Sequence, residues 1–178
     1  MNDSALVKKC IEGDQLAQRK LFEKFAPKML GVSMRYAKNT EQAEDVLQDG
    51  FVKVFTKLSH YKGDGSLEGW IRRVVVNTAL DQIRKNTKLQ DNVALDDVDY
   101  KLELKGNVLE TLAAEDLMEL INEMPTGYKA VFNMFAIEGY SHKEIAQELN
   151  VSENTSKSQY SRARSYLKKK LEEINFER

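Results

Sequence analysis

From Ser152 to Lys170 the chain reads SENTSKSQYSRARSYLKKK. After Glu153 this stretch holds no acid, six basic residues (Lys157, Arg162, Arg164, Lys168, Lys169 and Lys170) and a scatter of hydroxyls. Wound as a helix, it puts Tyr160, Ala163, Leu167 and Leu171 on one face. Lys157, Ser158, Ser161, Arg162 and Ser165 fall on the other face, with Arg164 at the flank. Lysine and arginine suit phosphates and guanine edges, and Thr155 and the serines can bond to either kind of group. This is chemistry for holding a nucleic acid, not for breaking bonds. A basic terminal helix is also commonly no more than a solvated face.

The residues just upstream favour the first reading. Ser141-His142-Lys143-Glu144 is a capping box, in which the serine caps the amide three residues on and the glutamate reaches back. Ile145, Ala146 and Leu149 form the buried face of a short helix, and Asn150 stands where a tight turn needs a residue tolerant of the left-handed region. Val151 is expected to pack inward and Ser152 to cap the next helix. Short helix, tight turn and second helix make a helix–turn–helix, whose second helix enters the major groove with its early exposed residues toward base edges.

A second group of side chains lies in the first half. In EQAEDVLQDGFVKVFTKL, Ala43, Val46, Leu47, Phe51, Val54, Phe55 and Leu58 make one apolar stripe. The other face carries Glu44, Asp45, Gln48, Asp49 and Val52, where apolar Val52 favours a contact surface over a merely solvated one. SHYKGDGS then reads as a loop, with Ser66 as a helix cap. The following helix, from Leu67 to about Arg84, is expected to turn Trp70, Ile71, Val74 and Ile83 toward a core and to carry Arg73, Asn77 and Arg84 along another stripe.

The elements that must position these groups are helical. Proline occurs only at Pro27 and Pro125, and strand-like alternation is scarce. A first amphipathic helix holds Ala5, Leu6, Cys10 and Ile11 and ends at Gly13; a second begins near Leu16. Pro27 is expected to restart the chain, and Asn39-Thr40 offers a cap for the next helix. Charge is uneven along the chain, with fifteen Lys/Arg against eleven Asp/Glu over residues 1–86, three against eight over 87–116, and nine against nine over 117–178. The expected fold is therefore all-α: two small helical domains, 1–86 and 113–178, joined by a flexible acidic linker over 87–112.

Several classes are disfavoured. Cys10 is the only cysteine, so no internal disulfide forms, and one cysteine with His60 and His142 makes no zinc set. Asp96, Asp97 and Asp99 lack the glycine and terminal glutamate of a calcium loop, so neither metal nor cofactor is expected. No nucleophile–base pair or glycine-rich phosphate loop supports an enzyme. Neither a secretion signal nor an apolar run of membrane-spanning length is present in the 178 residues, which predicts a cytoplasmic protein.

Both halves resemble one family. EGYSHKEIAQELNVSENTSKSQYSRARSYLKKKL, with INEMPTGYKAVF before it, resembles region 4 of the extracytoplasmic-function (ECF) sigma factors. AEDVLQDGFVKVFTKL resembles their region 2.2, and YKGDGSLEGWIRRVVVNTALDQIRK their regions 2.3 and 2.4. The resemblance covers nearly the whole chain and implies a bacterial transcription-initiation factor. Such a protein binds core RNA polymerase, reads −10 and −35 promoter elements, aids melting and is held in check by an anti-sigma factor. It implies polymerase contact at Asp45, Gln48, Asp49 and Val52. At the −10 element it implies Tyr61, the loop Lys62, Gly63, Asp64, Gly65 and Ser66, and the stripe Arg73, Asn77 and Arg84. At the −35 element it implies Thr155, Lys157, Ser158, Ser161, Arg162 and Arg164. A stand-alone helix–turn–helix regulator is the alternative, but it leaves the first-half match unexplained.

The chain departs from the family pattern at four points. Asn150 stands for a usual glycine and Ser156 for a usual apolar residue, which predicts looser packing at the start of the recognition helix. Gly50 should cost its helix about 0.5–1 kcal/mol, and Thr126-Gly127 replaces a charged pair.

Overall fold

The computed structural model describes residues 2–87 and 114–176, and the expected acidic linker, with Asp96, Asp97 and Asp99, lies outside them. Among the described residues the regular structure is helical, without strands. In order these helices are α1 (Asp3–Ile11), α2 (Gln15–Met34), α3 (Thr40–Lys57), α4 (Leu67–Thr87), α5 (Ala114–Asn122), α6 (Thr126–Phe132), α7 (His142–Leu149) and α8 (Glu153–Phe176). The chain divides into two compact units, Met1–Gln82 and Ile83–Arg178.

The first unit closes around one apolar core. Leu6 and Cys10 from α1, Leu21, Phe25 and Met29 from α2, Val46, Phe51 and Val54 from α3, and Leu67, Ile71, Val75, Val76 and Leu80 from α4 are all buried. Asn39 caps α3 as expected, its side chain accepting from the Gln42 amide at 2.8 Å. Pro27 does not break the chain, because α2 runs through it for 20 residues. Its ring is exposed while Ala26, Phe25 and Met29 around it are buried, so the missing amide faces solvent, where water can serve the carbonyl one turn back. The burial of Phe25 and Met29 holds the helix together across the proline.

Two further expectations change in this unit. Gly50 is no mere weak point of α3, since a Cβ there would meet Val75 Cγ2 at 3.1 Å and Val75 Cα at 3.5 Å. The glycine lets α3 and α4 approach closely, and its propensity cost is offset by that packing. Trp70, expected in the core, is only partly buried; the inward stripe of α4 is Leu67, Ile71, Val75, Val76, Ala79 and Leu80, and Val74 and Ile83 are likewise only half-buried.

In the second unit α8 is the central helix. Ala163, Leu167 and Leu171 on its inner face pack on Leu120, Ile121 and Met124 from α5 and the turn after it. Lys170 stands 3.8 Å from Glu123, and the Tyr166 hydroxyl donates to the Glu123 carbonyl at 3.3 Å. The helix begun by α6 widens over Asn133–Ile137 into a π-type turn, closed by the Glu138 amide donating to the Asn133 carbonyl at 2.9 Å. The capping box of α7 forms on both sides: the Glu144 amide donates to Ser141 Oγ at 3.2 Å and the Ser141 amide to Glu144 Oε2 at 2.9 Å. Asn150 takes the left-handed conformation, φ 54° and ψ 47°, and Ser152 Oγ accepts from the Thr155 amide at 3.0 Å to open α8. Val151 does not pack inward; it is 39% exposed. The turn is held by the Asn150 backbone and the caps, and the Val151 amide returns to the Ala146 carbonyl at 3.0 Å.

Candidate nucleic-acid interface

Three surfaces carry the residues singled out from sequence. The first is on α3. Asp45, Gln48, Asp49 and Val52 are all exposed and, at spacings of three and four, form one stripe. Val52 is 61% exposed, an apolar side chain in water between carboxylates. The Gln82 amide reaches Asp49 Oδ2 at 3.4 Å, leaving Asp45 as the outward charge of the stripe.

The second surface is a groove of about 280 Å³ between the end of α3 and α4, lined by Lys53, Lys57, His60, Trp70, Arg73, Val74, Asn77, Thr78 and Asp81. Basic side chains dominate it, with Asp81 as the one carboxylate of the lining, 2.8 Å from Lys53 Nζ. Asn77 Oδ1 is buried and makes no hydrogen bond among the described residues. A buried amide oxygen without a donor forfeits the stabilisation that such groups normally find, and it belongs to a side chain that lines the groove.

The structure brings Arg73 and Asn77 together in this groove, but the lining includes none of Lys62, Gly63, Asp64, Gly65 and Ser66. Those five residues are exposed, and the loop they form is tied by the Tyr61 hydroxyl donating to the Gly65 carbonyl at 2.8 Å. Gly63 and Gly65 both have positive φ, 82° and 93°, which side chains rarely adopt. The loop meets the groove through Tyr61, whose ring centroid lies 5.7 Å from that of Trp70. Arg84, half-buried, lies on α4 beyond Gln82, where the first unit ends. Sequence reasoning missed Lys53, Lys57 and His60, although the i, i+4, i+7 spacing of three basic residues before the loop was a readable signal.

The third surface is the start of α8. Lys157, Ser158 and Ser161 are exposed; Thr155, Arg162 and Arg164 are half-buried. Lys157 Nζ pairs with Glu153 at 2.9 Å, and the hydrogen bond from that ammonium holds the Glu153 carboxyl below its ordinary pKa. Ser158 Oγ donates to the Thr155 carbonyl at 3.0 Å, and Ser165 Oγ to that of Ser161 at 3.1 Å, so each hydroxyl keeps lone pairs to offer. The Arg164 guanidinium lies 5.9 Å from the Tyr160 ring, a cation–π approach that draws it along the helix. Farther on, Lys168 and Lys170 approach Glu172 and Glu123, so the end of the basic run serves packing within the unit.

Ser156, expected to loosen the start of α8, is fully buried, and its Oγ lies 2.9 Å from Nδ1 of His142. A hydrogen bond across the two helices takes the place of apolar contact.

The family model described as Sigma-70 region 2 matches residues 21–89, and that described as Sigma-70, region 4 matches residues 114–167. The chain belongs to the ECF sigma factors. It is 28% identical over 174 residues to the ECF RNA polymerase sigma factor SigM of Mycobacterium tuberculosis, covering 98% of this chain and 87% of that protein. To the RNA polymerase sigma-H factor of Pseudomonas aeruginosa it is 25% identical over 186 residues, covering 97% and 95%. In fold it is similar to the sigma factor RpoE from Bartonella quintana, solved with the anti-sigma factor NepR, at a TM-score of 0.55 and 21% identity over 88% of this chain and 96% of that one. CnrH, solved with the cytosolic domain of CnrY, gives a TM-score of 0.52 at 21% identity, covering 96% and 97%. As a sigma factor the protein acts in transcription initiation, and it is not a stand-alone regulator. Sigma factors are transcription factors, not enzymes. Among the described residues no helix is long and apolar enough to cross a membrane.

Proposed function

We propose that this ECF sigma factor divides its work between residues 1–86 and 113–178, acting by binding alone and without catalysis of its own. The α3 stripe of Asp45, Gln48, Asp49 and Val52 docks on core RNA polymerase, where carboxylates flanking an exposed valine suit a basic partner face with an apolar centre. The groove takes the non-template strand of the −10 element. Lys53, Lys57 and Arg73 serve its phosphates, Tyr61 and Trp70 offer stacking faces, and Asn77 reads one unstacked base. The loop of Lys62 to Ser66 closes beside that base, and Arg84 extends the basic stripe of α4. The −35 element is read by α8 through Thr155, Lys157, Ser158, Ser161, Arg162 and Arg164. An anti-sigma factor is the natural inhibitor, a reading supported by the anti-sigma factor NepR bound to RpoE, and the bacterial cytoplasm, where promoter DNA lies, is the site of action.

The observation that carries the −10 reading is the buried, unbonded Asn77 Oδ1 in a basic, aromatic-sided groove. An amide supplies both a donor and an acceptor, the pair needed at a base edge. Asn77→Ala should leave core polymerase binding unchanged and slow open-complex formation in transcription with purified core enzyme. If Asn77 reads the base, the defect persists on a preopened bubble and the preference at one −10 position relaxes by about 1–3 kcal/mol, the worth of a good bidentate base contact. A variant that opens promoters as fast as wild type with the same −10 preference refutes the assignment.

A further inference from the structure

His142 is not among the residues assigned to DNA, yet it touches the recognition helix at a buried point. Ser156 sits between Thr155 and Lys157, is 0% exposed, and its Oγ lies 2.9 Å from Nδ1 of His142, the first residue of α7. The imidazole is held in turn. It stacks on Phe135 with centroids 4.3 Å apart and planes at 13°, and meets the Tyr160 ring edge-on at 5.9 Å. Phe135 and Tyr160 contact each other at 4.5 Å. Phe135 comes from the π-type turn over Asn133–Ile137, a widened turn that departs from the regular helix beside the motif. Three elements thus meet at the imidazole, and the imidazole holds the buried hydroxyl of α8.

We propose that His142 is a positioning residue for −35 recognition: through its hydrogen bond to Ser156 it sets the axial and rotational register in which α8 presents Lys157, Ser158, Ser161 and Arg162. This rests on the reading of α8 as the −35 helix. An apolar contact tolerates sliding, because its energy changes little over small displacements. A hydrogen bond does not, as it weakens steeply once angle and distance leave a narrow range. Moving α8 by one residue relative to α7 would shift the hydroxyl by about 1.5 Å along the axis and about 100° around it, breaking the bond. The same turn would swing Ser158 and Ser161 away from the direction they now face. A neutral imidazole suits the task, since it can either donate or accept at Nδ1 and the serine hydroxyl can do the reverse. Burial, and the Lys157 ammonium next to it, hold the ring below its ordinary pKa, with Glu153 opposing.

The test uses holoenzyme assembled from full-length chain and purified core polymerase on two promoters that differ only in a matched or scrambled −35 element. The matched-to-scrambled ratio of open-complex formation is read for each variant, beside the thermal unfolding of the free chain. His142→Ala and Ser156→Val should each lower the ratio about three- to tenfold, the equivalent of one neutral hydrogen bond. His142→Asn, whose amide can reach a similar position, should recover most of it. The deciding variant is the double substitution His142→Leu with Ser156→Val, which replaces the polar pair by an apolar one. Recovery of thermal stability with the ratio still depressed supports positioning. A ratio that returns together with stability, or that never fell in the single variants, overturns it. A wild-type ratio of one overturns instead the assignment of α8 to the −35 element, on which the proposal stands.

Discussion

Ser33 and Thr78 in the first unit are as deeply buried as Ser156 in the second, yet they find their partners differently. Ser33 Oγ donates to the Met29 carbonyl at 3.0 Å and Thr78 Oγ1 to the Val74 carbonyl at 2.8 Å, each one turn back on its own helix. Such a bond satisfies the hydroxyl but says nothing about where a neighbouring helix must sit. Ser156 is satisfied by His142 on another helix, so its bond specifies a relative placement. In its interior the first unit has the close approach of α4 at Gly50 and an apolar core, while its bonds between helices, such as Lys53 with Asp81 and Lys28 with Glu68, lie nearer the surface. The second unit buries Lys129, Asn133 and Ser156 among its apolar residues. Shape packing suffices to hold an acidic stripe and a groove on stable helices. A directional bond is worth more where a short helix must be aimed at base edges, because buried polar groups penalise every arrangement that leaves them unpaired.

The largest test of this contrast concerns what the units share. Ile71→Ala in the first and Ile145→Ala in the second, both fully buried, should each cost about 2–5 kcal/mol in denaturant unfolding. A much smaller loss at either position would mean that its core is not the principal source of stability. Next is the shape element itself. Gly50→Leu should destabilise by about 1–3 kcal/mol, with faster amide exchange in α3 and α4, since even a Cβ would stand 3.1 Å from Val75 Cγ2. A neutral or stabilising result would show that α4 can shift freely.

The hydroxyls themselves come third. Ser156→Ala should cost about 1–3 kcal/mol, because it leaves the His142 nitrogen unpaired, whereas Ser33→Ala should be nearly neutral, its carbonyl partner remaining in the helix ladder. Equal effects from the two substitutions would remove the distinction drawn between the units.

The smallest effect is that of pH. His142 is held below its ordinary pKa of 6.5, mainly by burial and then by Lys157, with Glu153 opposing. Its folded pKa is therefore lower than its unfolded one, and between the two the unfolded chain binds more protons. Well above 6.5 the ring is neutral in both states and contributes no pH dependence. As the pH falls below 6.5, His142 should progressively destabilise the second unit. Thermal unfolding from pH 7.5 to 5 in wild type and His142→Asn checks this, and an unchanged slope in the variant would assign the dependence elsewhere.

Much of the second unit was legible in the sequence because its signals act within a few residues. The Ser141–Glu144 capping box, the Ser152 cap and the left-handed turn at Asn150 are local interactions, and each formed as the residue types require. The helical periods of α3 and α8 likewise identify an apolar stripe and an exposed face without knowledge of any neighbour. From these local rules alone, the sequence determined the helices, the helix–turn–helix and the exposure of Asp45, Gln48, Asp49 and Val52.

Tertiary structure decided what each face meets. Pro27 lies inside a helix because buried side chains on both sides of it have a partner surface, a fact absent from the residues flanking the proline. Trp70 and Val74 line a groove because Leu67, Ile71 and Val75 take the inward positions of α4, and a hydrophobic pattern this broad leaves the orientation open by nearly one residue. Lys53, Lys57 and His60 join Arg73 and Asn77 only after α3 and α4 pack. Ser156 read as a weak apolar position because its partner stands fourteen residues earlier, on a different helix. Hydrogen bonds and close approaches between elements depend on relative placement, which the buried core sets through many weak contacts at once and which no single stretch of sequence encodes.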